Sequence, residues 1–201
     1  MASFADMLLT AAAGYFIGSV PFGLLVARVF KGIDPRLGGS GNVGATNVAR
    51  LCGFKWGLLT LVCDLLKGCL PVLFHVSSGD FGLAYVAGIC VILGHMFSCF
   101  LRFRGGKGVA STVGIFLALA PGPLIIAGLV CILTIWRSGF VSAGSLVLVC
   151  LLPPLLFFFG PPGSALFSLL IAALVVWAHR DNIRRLRRGE EKPWMKKQGQ
   201  S

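Results

Sequence analysis

Apolar runs follow one another through this chain with little between them, over about residues 4–30, 54–76, 81–101, 109–120, 124–136, 140–159 and 165–178. Runs this long and this poor in charge belong in a bilayer, where about 20 apolar helical residues cross ~30 Å of hydrocarbon. Lipid offers no hydrogen bonds, so each run must satisfy its own backbone, and a helix does that. Composition agrees: 56% of the 201 residues are hydrophobic and 12% are charged. The expectation is an all-α integral membrane protein, a single membrane-embedded domain over 1–201 with a basic tail from about residue 180.

The number of spans turns on residues 109–136. A helix of about 14 residues is only ~21 Å long, which favours one kinked span, whereas Pro121-Gly122-Pro123 favours a turn. Charge decides between them. With two helices there, all 18 Lys and Arg residues fall on one face of the membrane. With one, the basic tail from Arg180 lies outside, against the positive-inside rule. Seven transmembrane helices are therefore expected, N-terminus out and C-terminus cytoplasmic. No Lys or Arg precedes Arg28, so the first run lacks the basic start of a cleaved signal and reads as a retained span.

The net charge of +11 would suggest nucleic acid in a soluble protein, but these charges crowd into loops and a tail. A bilayer with anionic head groups and anionic substrates are the expected partners, with no nucleic acid. Seven cysteines are scattered without a C-x-x-C pair, and H-E-x-x-H, paired carboxylates and G-x-S-x-G do not occur. Metal, glycosidase and acyl-enzyme hydrolase chemistry thus lack support, and neither metal nor cofactor is expected.

Polar residues gather in a few places, all on the face assigned to the cytoplasm. Gly38 to Asn47 is a glycine-rich island closed by Arg50; its glycines, among them Gly39 and Gly41, let amides approach a ligand. Ser40, Asn42, Thr46 and Asn47 add donors and Arg50 a fixed cationic fork, a set suited to an oxyanion such as phosphate. A solvated connector between spans is the alternative. In the second cluster Gly105, Gly106 and Gly108 surround Lys107 just before a helix, so free amides, helix dipole and ammonium can point at one anion. The spacing is not that of a nucleotide-binding P-loop. His179 and Asn182 share a helical face at the end of the last run, where His can serve as acid or base. Ser142 and Ser145 begin the sixth run, either for substrate or for back-bonding to helix carbonyls. Asp64 and Lys67, at i and i+3 inside the second run, read as mainly structural, and His75 and His95 as less informative still.

Laid out this way, the chain resembles the bacterial membrane acyl-phosphate:glycerol-3-phosphate acyltransferase family from Gly18-Ser19-Val20-Pro21-Phe22-Gly23 to Glu190. The matching motifs are G-S-G-N-V-G-A-T-N over 39–47 with Arg50, F-R-G-G-K-G-V-A-S over 103–111, and H-R-D-N from His179 with Gly189-Glu190. Ser111 stands where the family more often has threonine. The resemblance implies transfer of a fatty acyl group from acyl phosphate to the sn-1 hydroxyl of glycerol 3-phosphate, giving lysophosphatidic acid and phosphate at the cytoplasmic face of the bacterial inner membrane. It implies essential roles for Ser40 and Arg50, an acyl-phosphate site at Lys107 and its glycines, and third-motif roles for His179, Asn182 and Glu190, with Ser145 matching a family serine. Acyl phosphate carries a good leaving group, so direct displacement without an acyl-enzyme is expected, with His179 taking the hydroxyl proton or donating to a phosphate oxygen that does so. The competing readings are a transporter of a phosphorylated anion and a lipid-organising protein.

Overall fold

The computed structural model describes residues 2–194, which contain no strand. The chain divides into two compact units, Met1–Pro121 and Gly122–Ser201. In the first lie α1 (Phe4–Ser19), α2 (Phe22–Lys31), α3 (Ala45–Cys52), α4 (Phe54–Ser77), α5 (Phe81–Met96) and α6 (Val109–Leu119). From the boundary onward come α7 (Pro121–Ser138), α8 (Val141–Phe159), α9 (Ser164–Ala178) and α10 (Arg180–Arg188).

Local chemistry explains the helix ends. Ser3 and Asp6 form a capping box at α1: Asp6 N donates to Ser3 Oγ at 3.1 Å and Ser3 N to Asp6 Oδ2 at 2.8 Å. Asp80 caps α5 by accepting from Leu83 N at 2.9 Å. Small residues decide the packing of the first unit. A side chain at Gly18 would strike the backbone of Val91, and one at Gly94 the carbonyl of Tyr15, so α1 and α5 cross with their backbones in contact. Val26, Ala27, Val48 and Cys52 form a core joining α2 to α3, with Trp56 of α4 packed against it.

Among the described residues, five segments are long and apolar enough to cross a membrane: Phe4–Lys31, Phe54–Ser77, Phe81–Leu101, Pro121–Ser138 and Val141–Phe159. A sixth exists if α9 and α10, bent by 59°, count as one. Large apolar side chains face outward along them, such as Leu129, Ile132 and Trp136 on α7 and Phe157, Phe158 and Phe159 on α8. An exposed apolar belt of that kind belongs in lipid. The all-α membrane architecture is as expected, whereas five or six segments, and not the expected seven, reach a crossing length among the described residues. The break comes at Ala120, and Pro121-Gly122-Pro123, expected as the turn, instead forms the first turn of α7; the 11 residues of α6 make a helix of only ~17 Å, short of the hydrocarbon thickness.

Candidate functional site

The first glycine loop of the first unit is organised by Asn47, at the start of α3. Its Nδ2 donates to the carbonyls of Pro35 at 2.8 Å, Gly38 at 3.1 Å and Asn42 at 2.9 Å, and its Oδ1 accepts from Ser40 N at 2.8 Å. Asn42 Oδ1 accepts from Gly44 N at 2.7 Å and closes the next turn. Gly39 sits at φ +63 with Asn47 Oδ1 where a side chain would be, so only glycine fits. Asn47, expected among the substrate-binding groups, is buried and committed to the loop's own backbone, and so shapes the site. Ser40, Gly41 and Arg50 remain exposed, Arg50 in the last turn of α3, with Thr46 half-buried. Asp34, on the approach to this loop, accepts from Arg36 Nη2 at 2.7 Å and Arg28 Nη2 at 2.8 Å. The Arg36 guanidinium, against partial burial, holds its carboxyl well below the usual carboxylate range.

The second loop is built from outside. Gly105 N donates to Met96 O at 2.9 Å and Gly106 N to His95 O at 3.0 Å, so these amides close the end of α5 and are not the free donors expected. A side chain at Gly105 would strike the His95 carbonyl, and one at Gly106 the His95 imidazole. Gly108, at φ +85, turns the chain into α6. Lys107 is half-buried beside these glycines, at the helix N-terminus. Ser111 is wholly buried, and its Oγ donates to Asp64 O at 3.1 Å, tying α6 to α4 instead of facing a ligand.

In the second unit His179 sits at the bend between α9 and α10, almost fully buried. Its Nδ1 lies 2.8 Å from Val175 O. A carbonyl only accepts, so Nδ1 carries the proton in this contact. Asn182 Nδ2 donates to Glu191 Oε1 at 2.5 Å, Ser142 Oγ to the same oxygen at 2.7 Å, and Arg185 Nε to Oε2 at 2.7 Å. Partial burial pushes the Glu191 carboxyl up, but these three donors outweigh it and hold the group below its ordinary value. Ser145 Oγ donates to Val141 O at 2.9 Å, the back-bonding alternative. Glu190, the glutamate singled out from sequence, is exposed, and its neighbour Glu191 holds the cluster together. Trp194 N donates to Gly139 O at 2.8 Å, so the segment after α10 folds back to the start of α8.

Residues 8–189 match the family described as glycerol-3-phosphate acyltransferase. The chain belongs to that family. Among its relatives, glycerol-3-phosphate acyltransferases of Nitratidesulfovibrio vulgaris and Desulfovibrio desulfuricans are each 56% identical over 191 residues, 94% of this chain; the chain spans 58% of the former's length and 85% of the latter's. A crystal structure of PlsY (YgiH), an integral membrane glycerol 3-phosphate acyltransferase in its glycerol 3-phosphate form, superposes with a TM-score of 0.89 at 37% identity, covering 93% of this chain and 94% of that one. Its lysophosphatidic acid form gives 0.87 at 36%, with the same coverage. Membership in that family favours the enzyme reading over the transporter and lipid-organiser readings.

What sequence reasoning missed in this acyltransferase is Glu191. Two adjacent glutamates follow Gly189, and only the left-handed turn at Gly189, φ +70, settles which of them turns back toward Asn182.

Proposed function

We propose that the protein transfers a fatty acyl group from acyl phosphate to the sn-1 hydroxyl of glycerol 3-phosphate, releasing phosphate and lysophosphatidic acid, by direct displacement. The observation that carries this reading is the likeness, across 93% of the chain, to structures named for glycerol 3-phosphate and for lysophosphatidic acid, the acceptor and the product. The acyl-phosphate donor follows from the motifs around Lys107.

In the proposed step the acceptor oxygen attacks the acyl carbonyl carbon, the bond from that carbon to the phosphate oxygen breaks, and the hydroxyl proton passes to His179 Nε2 or to a phosphate oxygen. Arg50 and Lys107 neutralise phosphate charge, aided by the first turn of α6, whose amides have no intrahelical partners. Ser40 orients substrate as a donor and not as a nucleophile. Glu191 fixes Ser142 and Asn182, so that these reach substrate from set positions. Much of the rate then comes from positioning, where well-oriented reactions gain up to ~7–11 kcal/mol.

The enzyme lies in the bacterial cytoplasmic membrane with seven spans, α6 being the short one, and with this chemistry at the cytoplasmic face. The exposed arginines 180, 184, 187 and 188 meet anionic head groups.

The test is purified protein in detergent with palmitoyl phosphate and glycerol 3-phosphate. Expected are sequential two-substrate kinetics, no radiolabelled acyl-protein on quenching with palmitoyl phosphate alone, and a loss of about 10²–10⁴ in kcat for His179→Ala. Ping-pong kinetics with an ester at Ser40 overturn direct displacement, and a fully active His179→Ala overturns the base. For topology, a cysteine at Gly122 in a cysteine-free background is expected to react with an impermeant thiol reagent from outside.

A further inference from the structure

Asp64, Lys67 and His95 form a polar chain inside the first unit, within segments long and apolar enough to cross the membrane. Lys67 Nζ lies 2.8 Å from Asp64 Oδ1 and donates to Val20 O at 3.0 Å, at the break between α1 and α2. His95 Nδ1 lies 3.8 Å from the same Asp64 oxygen and 3.4 Å from Ser111 Oγ, which in turn donates to the Asp64 carbonyl. The far side of the imidazole, at Nε2, occupies the space a side chain at Gly106 would need, while the His95 carbonyl accepts from Gly106 N. One connected path therefore runs from the end of α1 through the ion pair to the second glycine loop. All three side chains are buried.

Holding helices together does not require this arrangement. Ionised groups at membrane depth are expensive, and apolar residues of similar volume stabilise a buried site as well or better. What an apolar replacement would not supply is a planar ring held in one orientation against the backbone of residue 106.

We propose that Asp64, Lys67 and His95 are positioning residues: the ion pair fixes the His95 ring, and the ring sets the path of the second loop and hence the placement of Lys107. The proposal rests on reading that loop as the seat of a phosphate-bearing substrate. None of the three touches the reacting atoms.

The experiment compares the full-length enzyme in detergent with Gly106→Ala, His95→Ala and the two combined, following both turnover of palmitoyl phosphate with glycerol 3-phosphate and thermal unfolding. Gly106→Ala is expected to lose at least about 10²-fold in kcat/KM, the effect of displacing a positioned group by ~1 Å. His95→Ala is expected to raise KM for palmitoyl phosphate more than it lowers kcat. Combining them is expected to recover at least about tenfold over Gly106→Ala, because removing the ring makes room for the methyl. A neutral pair, Asp64→Asn with Lys67→Met, is expected to keep the wild-type Tm within a few degrees and still raise that KM. Losses that simply multiply in the combined variant, or a neutral pair with wild-type KM, overturn the proposal. If the unmodified enzyme does not turn over these substrates, the functional reading fails. The contact itself is then scored by Tm, which recovers in the combined variant if the ring braces residue 106 and does not if it plays no such part.

Discussion

Loop 38–44 takes its shape from one side chain nearby, whereas loop 105–108 takes its shape from the helix end it lies against. Asn47 reaches the Gly38 and Asn42 carbonyls and the Ser40 amide of the first loop, and the Pro35 carbonyl just before it. In the second, the amides of Gly105 and Gly106 complete the carbonyls that end α5. Similar composition thus hides different constructions. Glycine in the first loop is required where the backbone turns left-handed and meets Asn47; in the second it is required where the backbone presses on His95. The first construction leaves Ser40 and Arg50 exposed, while the second places Lys107 at a helix N-terminus.

The comparison breaks most visibly at Asn47. Asn47→Leu takes the side-chain partner from the Pro35 and Asn42 carbonyls and the Ser40 amide, while the Gly38 carbonyl keeps Gly41 N, at roughly 1–3 kcal/mol for each orphaned group that water does not reach. Activity is expected to fall by more than about 10²-fold with a clear drop in Tm, and Asn47→Asp, which keeps the acceptor for Ser40 N, is expected to fall less. A fully active Asn47→Leu would show that the first loop, too, is shaped from outside. Next comes Gly105→Ala, expected to lose about 10²-fold in kcat/KM because its methyl meets a backbone carbonyl that cannot turn aside. Gly41→Ala, at φ +70 with nearest contact at 3.6 Å, needs only a strained conformation worth roughly 1–2 kcal/mol, so a smaller loss of activity is expected there.

The second unit offers a third construction, a carboxylate clamp. Glu191→Gln is expected to lower activity about tenfold, in line with the weakening of one charge-assisted bond. Its carboxyl is held below its ordinary value of 4.5, so its contribution to stability is present above that pH and is lost as pH falls through the folded-state value. Tm of the parent should therefore be flat near neutrality and fall in acid, and Glu191→Gln should fall less steeply. The smallest effect is expected at Asp34→Asn. Asp34 shares the sign of that pH dependence, but its arginine partners are exposed, and such pairs contribute about 0–1 kcal/mol.

Residue type at short spacing was enough to single out candidate residues in the sequence. Ser40, Arg50, Lys107, His179 and Asn182 were singled out from neighbouring residues, and the family motifs around them agreed. Partners across long separations were not. Ser142 and Glu191 are 49 positions apart, and Ser111 and Asp64 are 47 apart, so no local pattern announces either bond. Asn47 and the Gly105 and Gly106 amides were assigned to ligand because their types suit one, yet their hydrogen-bonding capacity is taken up by the backbone.

Hydrophobicity alone determined that this chain is helical and membrane-bound, because lipid leaves a long apolar segment no other way to satisfy its peptide groups. It did not determine how many of those segments span, since α6 is long enough to be a helix and too short to be a clear crossing. Nor did it determine which polar residues brace the backbone. Only tertiary structure decided that, because a buried donor or acceptor must be paired, and its partner is whichever group the packed helices bring within about 3 Å.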